Sequence, residues 1–382
     1  MGVSRIWTGA GIFDGAGVHA GHALVVRDGR VAGIVPEGEI DPGAEVERLD
    51  GGLIAPGFVD LQVNGGDGVQ LGAVRDVEGL RRIAQAHARL GATGVLPTLI
   101  TSSREVTAEV IAAGVAAVEA GVPGVLGLHL EGPHLSVARK GAHDAALIRP
   151  MEAEDLEMLC QAARDLPVLM LTVAPESVTP EQIAALAEAG AVVSLGHSDA
   201  EYAEFEAAER AGARCVTHLF NAMSQIQGRK PGLVGAALSI GGLNAGLIAD
   251  GVHVHPASMA AALAAKSGPG QIFLVSDAMA AAGTDLTEFE LDGRRITRRD
   301  GVLRLADGTL AGADLDLATA VRVLVRDVGV DLERALAMAT SVPGAVSGLE
   351  FAGRLVEGGP ADFVWLGEGV SLKGVWRGGV AV

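Results

Sequence analysis

The chain has 382 residues and a formal net charge of −18; hydrophobic residues make up 49% of it and aromatic ones only 3%. Such a length accommodates one barrel of about 250 residues plus a smaller module, with a core built mainly from Ala, Val, Leu and Ile. The acidic excess excludes nucleic acid and anionic membrane as partners, since both would be repelled, and an anionic small molecule would need basic residues placed locally.

The opening "MGVSRIWTGA" has no basic stretch followed by an apolar core, and no run of about 18 apolar residues occurs, so a cytoplasmic protein is expected. Cys160 and Cys215 stand far apart and in no CxxC pair, which fits a reducing compartment and roles as buried fillers. The first fifty residues read as short β runs, "RIWTG", "HALVVRDGRVAGIV" with Asp28-Gly29 as a hairpin turn, and "AEVERLDGG". The last thirty, "GRLVEGGPADFVWLGEGVSLKGVWRGGVAV", have the same character. Residues 1–55 and 353–382 are therefore expected to pair as one small β domain flanking a middle domain, 56–352.

The middle alternates apolar runs with helical stretches such as "DVEGLRRIAQAHARLGA" and "TPEQIAALAEAGA". Eight runs can be counted: "FVDLQVN" 58–64, "VLPTLI" 95–100, "VLGLHLE" 125–131, "VLMLTVAPE" 168–176, "AVVSLGHS" 191–198, "CVTHLFN" 215–221, "AGLIADGVHV" 245–254 and "QIFLVSDA" 271–278. Eight β–α units predict an α/β fold, a (β/α)8 TIM barrel. A doubly wound sheet is the alternative, but no GxGxxG follows the first run. The segment 287–312, with alternating residues and repeated DG turns, predicts a β-hairpin over the barrel mouth.

Catalytic groups of such barrels sit at the C-terminal strand ends, and there the runs carry Glu131, His197, His218 and Asp277, with Gln62 and Asn64 closing the first. Taken singly, each is as compatible with a hydrogen-bonded core residue. Together, Glu, His and His from three strands make a ligand set for Zn²⁺ or a similar ion, with Asp277 facing it across the barrel. His129, two residues before Glu131, is expected one layer down as a core hydrogen-bonding residue, and His19, His22 and His87 are expected at the surface.

"PGFVDLQVNGG", "GLHLEGPHLSVARKGAHDAALI", "SLGHSDA", "THLFNAM", "GRKPGLVGAAL", "IADGVHVHP" and "LVSDAMAAAG" together resemble the N-acetylglucosamine-6-phosphate deacetylases of the amidohydrolase superfamily, over nearly the whole chain. The resemblance implies a metal-dependent barrel with a β-sandwich made by both chain ends. It implies Glu131, His197 and His218 as metal ligands, Asp277 as catalytic acid/base and His143 as a contact to sugar or carbonyl. For the substrate it implies Ala142, His143, Leu310, Ala311 and Gly312, with Arg229, His253 and the backbone N–H groups of Asn221 and Ala222 on the phosphate. Many relatives carry His-x-His on the first strand and a second metal; here Gln62 and Asn64 stand in its place, and one divalent ion per subunit, Zn²⁺ by preference, is expected. The resemblance also implies a sugar-phosphate substrate and a homodimer that shares phosphate contacts. His134 and His255 depart from the family pattern.

Three other readings carry their own signatures. The galactosamine epimer needs the same chemistry. A cyclic-amide hydrolase of the dihydroorotase type needs His-x-His and a carbamylated lysine, neither of which is evident. A non-catalytic scaffold gives no reason to keep the buried charges at the strand ends.

Overall fold

A computed structural model describes residues 4–40 and 43–382. The eight apolar runs of the middle form eight strands: Phe58–Val63, Ala92–Ile100, Leu128–Glu131, Leu169–Val173, Val192–Leu195, Cys215–Val216, Asn244–Leu247 and Ile272–Leu274. Each pairs in parallel with the next. Just past the eighth strand Ala278 bridges in parallel to Val63, and Asp277 N–H donates to Gln62 O at 3.0 Å and Asn64 N–H to Ala278 O at 2.8 Å. The sheet is thereby closed, and every strand delivers its C-terminal end to one rim.

All of the strands but the second are shorter than the apolar runs, because the chain leaves the ladder where polar residues begin. His197, His218 and Asp277 have positive φ, at 48°, 28° and 52°. Non-glycine residues in that region cost free energy and persist only where their surroundings impose them. Helices on the outer face follow ordinary capping chemistry. Asp76 accepts from Gly79 N–H at 2.7 Å to start Val77–Arg89, and Thr179 with Gln182 forms a capping box on Pro180–Glu188. His87 is buried on the first of these helices with Nε2 2.8 Å from Gly65 O, so its expected surface position is corrected: the carbonyl compensates for its burial.

Both chain ends share a six-stranded sheet, in the order Val380–Ala381, Ser371–Arg377, Phe363–Gly367, Leu53–Pro56, Gly11–Phe13, Val18–His19. A four-stranded sheet, Arg30–Pro36, His22–Arg27, Ser4–Thr8, Glu45–Arg48, faces it. Asp28 and Gly29, both at positive φ, make the turn between its first two strands. All three tryptophans lie in or against the core between these sheets. Trp7 meets Phe363 edge-on at 5.0 Å, and Phe363 stacks on Trp376 at 4.8 Å, amid Leu24, Val26 and Ile54. The sandwich has a core separate from the mainly aliphatic one of the barrel.

The single hairpin expected at 287–312 is instead a three-stranded antiparallel meander, Glu288–Leu291, Arg294–Arg299 and Val302–Leu305. Its two turns fall at Asp292-Gly293 and Asp300-Gly301, where all four residues have positive φ. Each DG pair therefore reverses the chain. Leu291, Ile296 and Leu303 bury their side chains with Met279 and Ala311, which ties the meander to the barrel rim. Among the described residues no helix is long and apolar enough to cross a membrane.

Candidate active site

A cavity of about 410 Å³ opens at the C-terminal rim, between the strand ends and the meander. Glu131, His197 and His218 meet there. Glu131 Oε1 lies 3.2 Å from His197 Nε2 and 2.9 Å from His218 Nε2, and the two ring nitrogens are 3.1 Å apart. For a tetrahedral ion with bonds near 2.0–2.1 Å, neighbouring ligand atoms are roughly 3.3 Å apart, close to this triangle. His197 Nδ1 donates to Arg139 O at 2.8 Å. A carbonyl only accepts, so the proton sits on Nδ1 and a lone pair on Nε2 faces the triangle, the tautomer a metal ligand requires. With a carboxylate oxygen and a second imidazole beside that lone pair, a cation or a proton has to lie between them. The donor set fits a divalent cation.

Burial alone would raise Glu131, but its contacts with His197 and His218 hold its carboxyl well below the usual range. Burial alone would lower His218; the hydrogen bond and charge of Glu131, with the charge of Asp277, leave it raised.

His143 also belongs to this group, since Glu131, His143 and His197 each present a ligand atom within 4.8 Å of the others. Its tautomer separates it from the triangle. Thr101 N–H points at His143 Nδ1 at 3.3 Å, with the Thr101 hydroxyl 2.8 Å away. A backbone amide only donates, so Nδ1 accepts and Nε2 carries the proton, 3.8 Å from Glu131 Oε2. Burial, then the neighbouring His197, lower His143 to about 3, so the ring is a neutral donor at neutral pH. Gly132 makes room for this arrangement: at φ 87°, a Cβ there would fall 2.3 Å from Thr101 Oγ1.

Asp277 stands across from the triangle. Asn64 Nδ2 donates to its Oδ1 at 2.7 Å, and Gln62 Nε2 lies 3.2 Å from both that oxygen and Glu131 Oε1. Both amides thus turn N–H groups toward carboxylates where His-x-His would turn lone pairs toward a second ion. Asn64 Oδ1 is buried without a partner. Burial first, and the charge of Glu131 second, raise Asp277 to about 6, within reach of a proton-transfer role.

Ala142, Asn221, Ala222, His253, Leu310, Ala311 and Gly312 all line the cavity, as do Glu131, His143, His197, His218, Asn64 and Asp277. Gln62 lies buried behind it. Gly312, at φ 65°, has no room for a Cβ, which would come 2.5 Å from Met279 Cγ. The expected pair of backbone donors is corrected in part: Asn221 N–H closes a turn onto His218 O at 2.9 Å, which commits it within the loop. His253 Nδ1 donates to Asp250 at 2.6 Å, leaving Nε2 as its other polar edge. Burial would raise Asp250, but the bond from His253 keeps it lowered. Arg229 is exposed and does not line the cavity of its own chain.

The two histidines that depart from the family pattern serve structure. His134 is buried with Nδ1 3.1 Å from Arg149 O, and His255 caps Pro256–Ala265 by accepting from Ala257 N–H at 3.1 Å. His129 lies one layer below the triangle, with Nδ1 3.1 Å from Leu61 O and Nε2 2.7 Å from Thr172 Oγ1. Sequence reasoning missed Thr101, the Arg139 carbonyl and Asp250, and only the DG pattern hinted that the meander would bring Leu291 to the cavity wall.

Residues 53–382 match the model of the amidohydrolase family. The N-acetylgalactosamine-6-phosphate deacetylase of Shewanella sp. (strain ANA-3) is 42% identical over 94% of this chain and 90% of its own. The N-acetylglucosamine-6-phosphate deacetylase of Homo sapiens is 38% identical over 88% of this chain and 85% of its own. Among solved structures, the N-acetylglucosamine-6-phosphate deacetylase of Pasteurella multocida superposes with a TM-score of 0.95 at 32% identity, covering 99% of each chain. The closed parallel barrel, the carboxylate–imidazole triangle at its rim and these likenesses agree: the chain belongs to the amidohydrolase family.

Proposed function

We propose that this chain hydrolyses the acetamide of N-acetyl-D-glucosamine 6-phosphate to D-glucosamine 6-phosphate and acetate, in amino-sugar catabolism. The observation that carries this reading is one amide nitrogen, Gln62 Nε2, lying 3.2 Å from both Glu131 and Asp277. A metal-ligand set and a separate carboxylate thus sit side by side on the wall of one cavity, joined through a single amide. Glu131, His197 and His218 would hold one divalent cation, and two imidazoles beside one carboxylate favour Zn²⁺ over Mg²⁺ or Ca²⁺. A bound cation of this kind supplies Lewis acidity toward water and the amide carbonyl.

The chain's own residues account for the rest. Asp277, as carboxylate, takes a proton from the attacking water and returns it to the nitrogen, whose departure as an anion is prohibitive. His143 Nε2–H donates to the carbonyl oxygen as that oxygen gains charge. His253 and the backbone N–H of Ala222 hold the phosphate end, with Asn221 shaping the loop beside them, and Leu310, Ala311 and Gly312 lie along the sugar. Arg229, exposed on its own subunit, would serve the phosphate of a neighbouring one in a homodimer. The two free cysteines support a cytoplasmic setting.

A second reading, the galactosamine epimer, is favoured by the name of the Shewanella relative. Acetate release from both epimeric 6-phosphates, with and without a chelator, tests the proposal. Chelator-sensitive release from the glucosamine compound supports it, faster release from the galactosamine one transfers it to the epimer, and release from neither rejects both.

A further inference from the structure

Behind the cavity at the rim lies a second one of about 350 Å³, between the meander and the outside of the second barrel strand. The two share two lining residues, Ile100 and Leu291. Ile100 ends the second strand, and Leu291 ends the first strand of the meander. Their side chains pack in one apolar cluster with Ala142, Met279 and Ala311, which also line the first cavity. The pocket therefore has an apolar end. It sits beside His143, because Thr101, which holds that ring, follows Ile100 directly.

The polar end lies opposite. Asn221 and Ala222 follow the sixth strand, and in the closed barrel four steps separate the second strand from the sixth in either direction. A sugar phosphate with its phosphate held by the Ala222 N–H and His253 would extend from the amide nitrogen toward that side. A secondary amide is trans, with cis costing about 2.5 kcal/mol, so the acyl carbon chain points away from the sugar. It points at Ile100 and Leu291.

We propose that Ile100 and Leu291 form the wall that limits the acyl group to two carbons, and that the space behind them admits longer acyl groups once either side chain is shortened. The inference rests on the deacetylase reading above. One methylene too many in a closed apolar pocket is worth about 10- to 200-fold in kcat/KM. A wall backed by empty space converts to a passage when truncated, which one backed by packed core would not do.

The test compares kcat/KM for the N-acetyl, N-propionyl and N-butyryl forms of the accepted hexosamine 6-phosphate in the wild type, Ile100→Ala and Leu291→Ala. The wild type is expected to lose at least about tenfold per added methylene, and each variant to shift the butyryl-to-acetyl ratio upward by at least about tenfold. An unchanged ratio in the variants, or a wild type that takes butyryl as readily as acetyl, overturns the proposal. Leu291 is fully enclosed in the meander cluster, so Ile100→Ala, at a partly exposed strand end, carries the test if Leu291→Ala does not fold. If the wild type turns over no N-acyl hexosamine phosphate, the deacetylase reading fails, and the wall is read separately from acetate and butyrate affinities of the Zn²⁺-loaded protein. There Ile100→Ala is expected to tighten butyrate relative to acetate by about tenfold, and no change overturns the wall.

Discussion

Asp277 combines a left-handed backbone position with two amide donors on one carboxylate oxygen, so its orientation is set from both sides. Asp277→Asn keeps the shape and removes the proton acceptor. We expect kcat to fall about 10²–10⁴-fold with metal content and KM nearly unchanged, and near-normal turnover would remove Asp277 from proton transfer. Its raised pKa of about 6 gives a pH signature. The carboxylate is the working form, so kcat/KM should fall as pH drops through that value, and a cation at the triangle pulls the midpoint lower still. His218 gives a second one. Its pKa is raised, chiefly because Glu131 offsets the effect of burial, so the proton on it competes with the cation. Zn²⁺ affinity, titrated from acid to mildly alkaline buffer, should weaken as pH falls through that pKa, approaching about tenfold per unit; a flat affinity would exclude His218 as a ligand. These side chains were legible in the sequence because a charge or imidazole that ends an apolar run has to be paired or bound to something. Thr101 was not legible, since the contact that fixes the His143 tautomer is a backbone N–H, which every residue but proline carries.

At the scale of elements, the barrel interior is not wholly aliphatic. Ser194 Oγ lies 2.7 Å from Thr217 Oγ1, Thr217 Oγ1 2.6 Å from Thr172 Oγ1, and Thr172 Oγ1 2.7 Å from His129 Nε2. The Leu61 carbonyl takes the His129 Nδ1 proton, so Thr172 donates to Nε2 and the chain of hydroxyls runs in one direction from Ser194. It links the third to the sixth strands directly beneath Glu131, His197 and His218. Thr172→Val keeps the volume but leaves His129 Nε2 without a donor and the Thr217 hydroxyl proton without an acceptor, Ser194 still donating to Thr217. Urea unfolding should show a loss of about 1–3 kcal/mol, and a loss within error would mean that the hydroxyl chain contributes nothing net. The eight strands themselves were legible from apolar runs, though their lengths were not. "CVTHLFN" reads as seven strand residues, but only Cys215–Val216 pair, because positive φ at His218 and Phe220 turns the chain into the pocket. Likewise alternation and DG pairs located the meander, but not the extra strand that lets it cap the rim, since turn residues mark reversals without saying which edges pair.

For the whole molecule, we propose that 1–55 and 353–382 act as one unit that braces the barrel and that the active site is completed by a second copy of the chain. The sandwich was readable from the matching β character of the two termini, because both had to find partners for the same kind of half-buried strand. Subunit sharing was not readable from composition, and it comes down to Arg229. That residue lies on an exposed stretch with Ile226 also exposed, outside the cavity that needs its charge. In an otherwise acidic protein, a phosphate held without Arg229 would lose its strongest bidentate donor. Arg229→Ala is therefore expected to raise KM with little change in kcat, since phosphate binding is equal in ground and transition states. Mixing it with Asp277→Asn distinguishes the two geometries. If Arg229 reaches across a two-fold interface, a mixed dimer contains one site with both defects and one with neither. Equal amounts of the two variants, after subunit exchange, should then recover roughly a quarter of wild-type activity at low substrate. If Arg229 serves its own subunit, every site in the mixture carries one defect, and activity stays at the mean of the two separate variants.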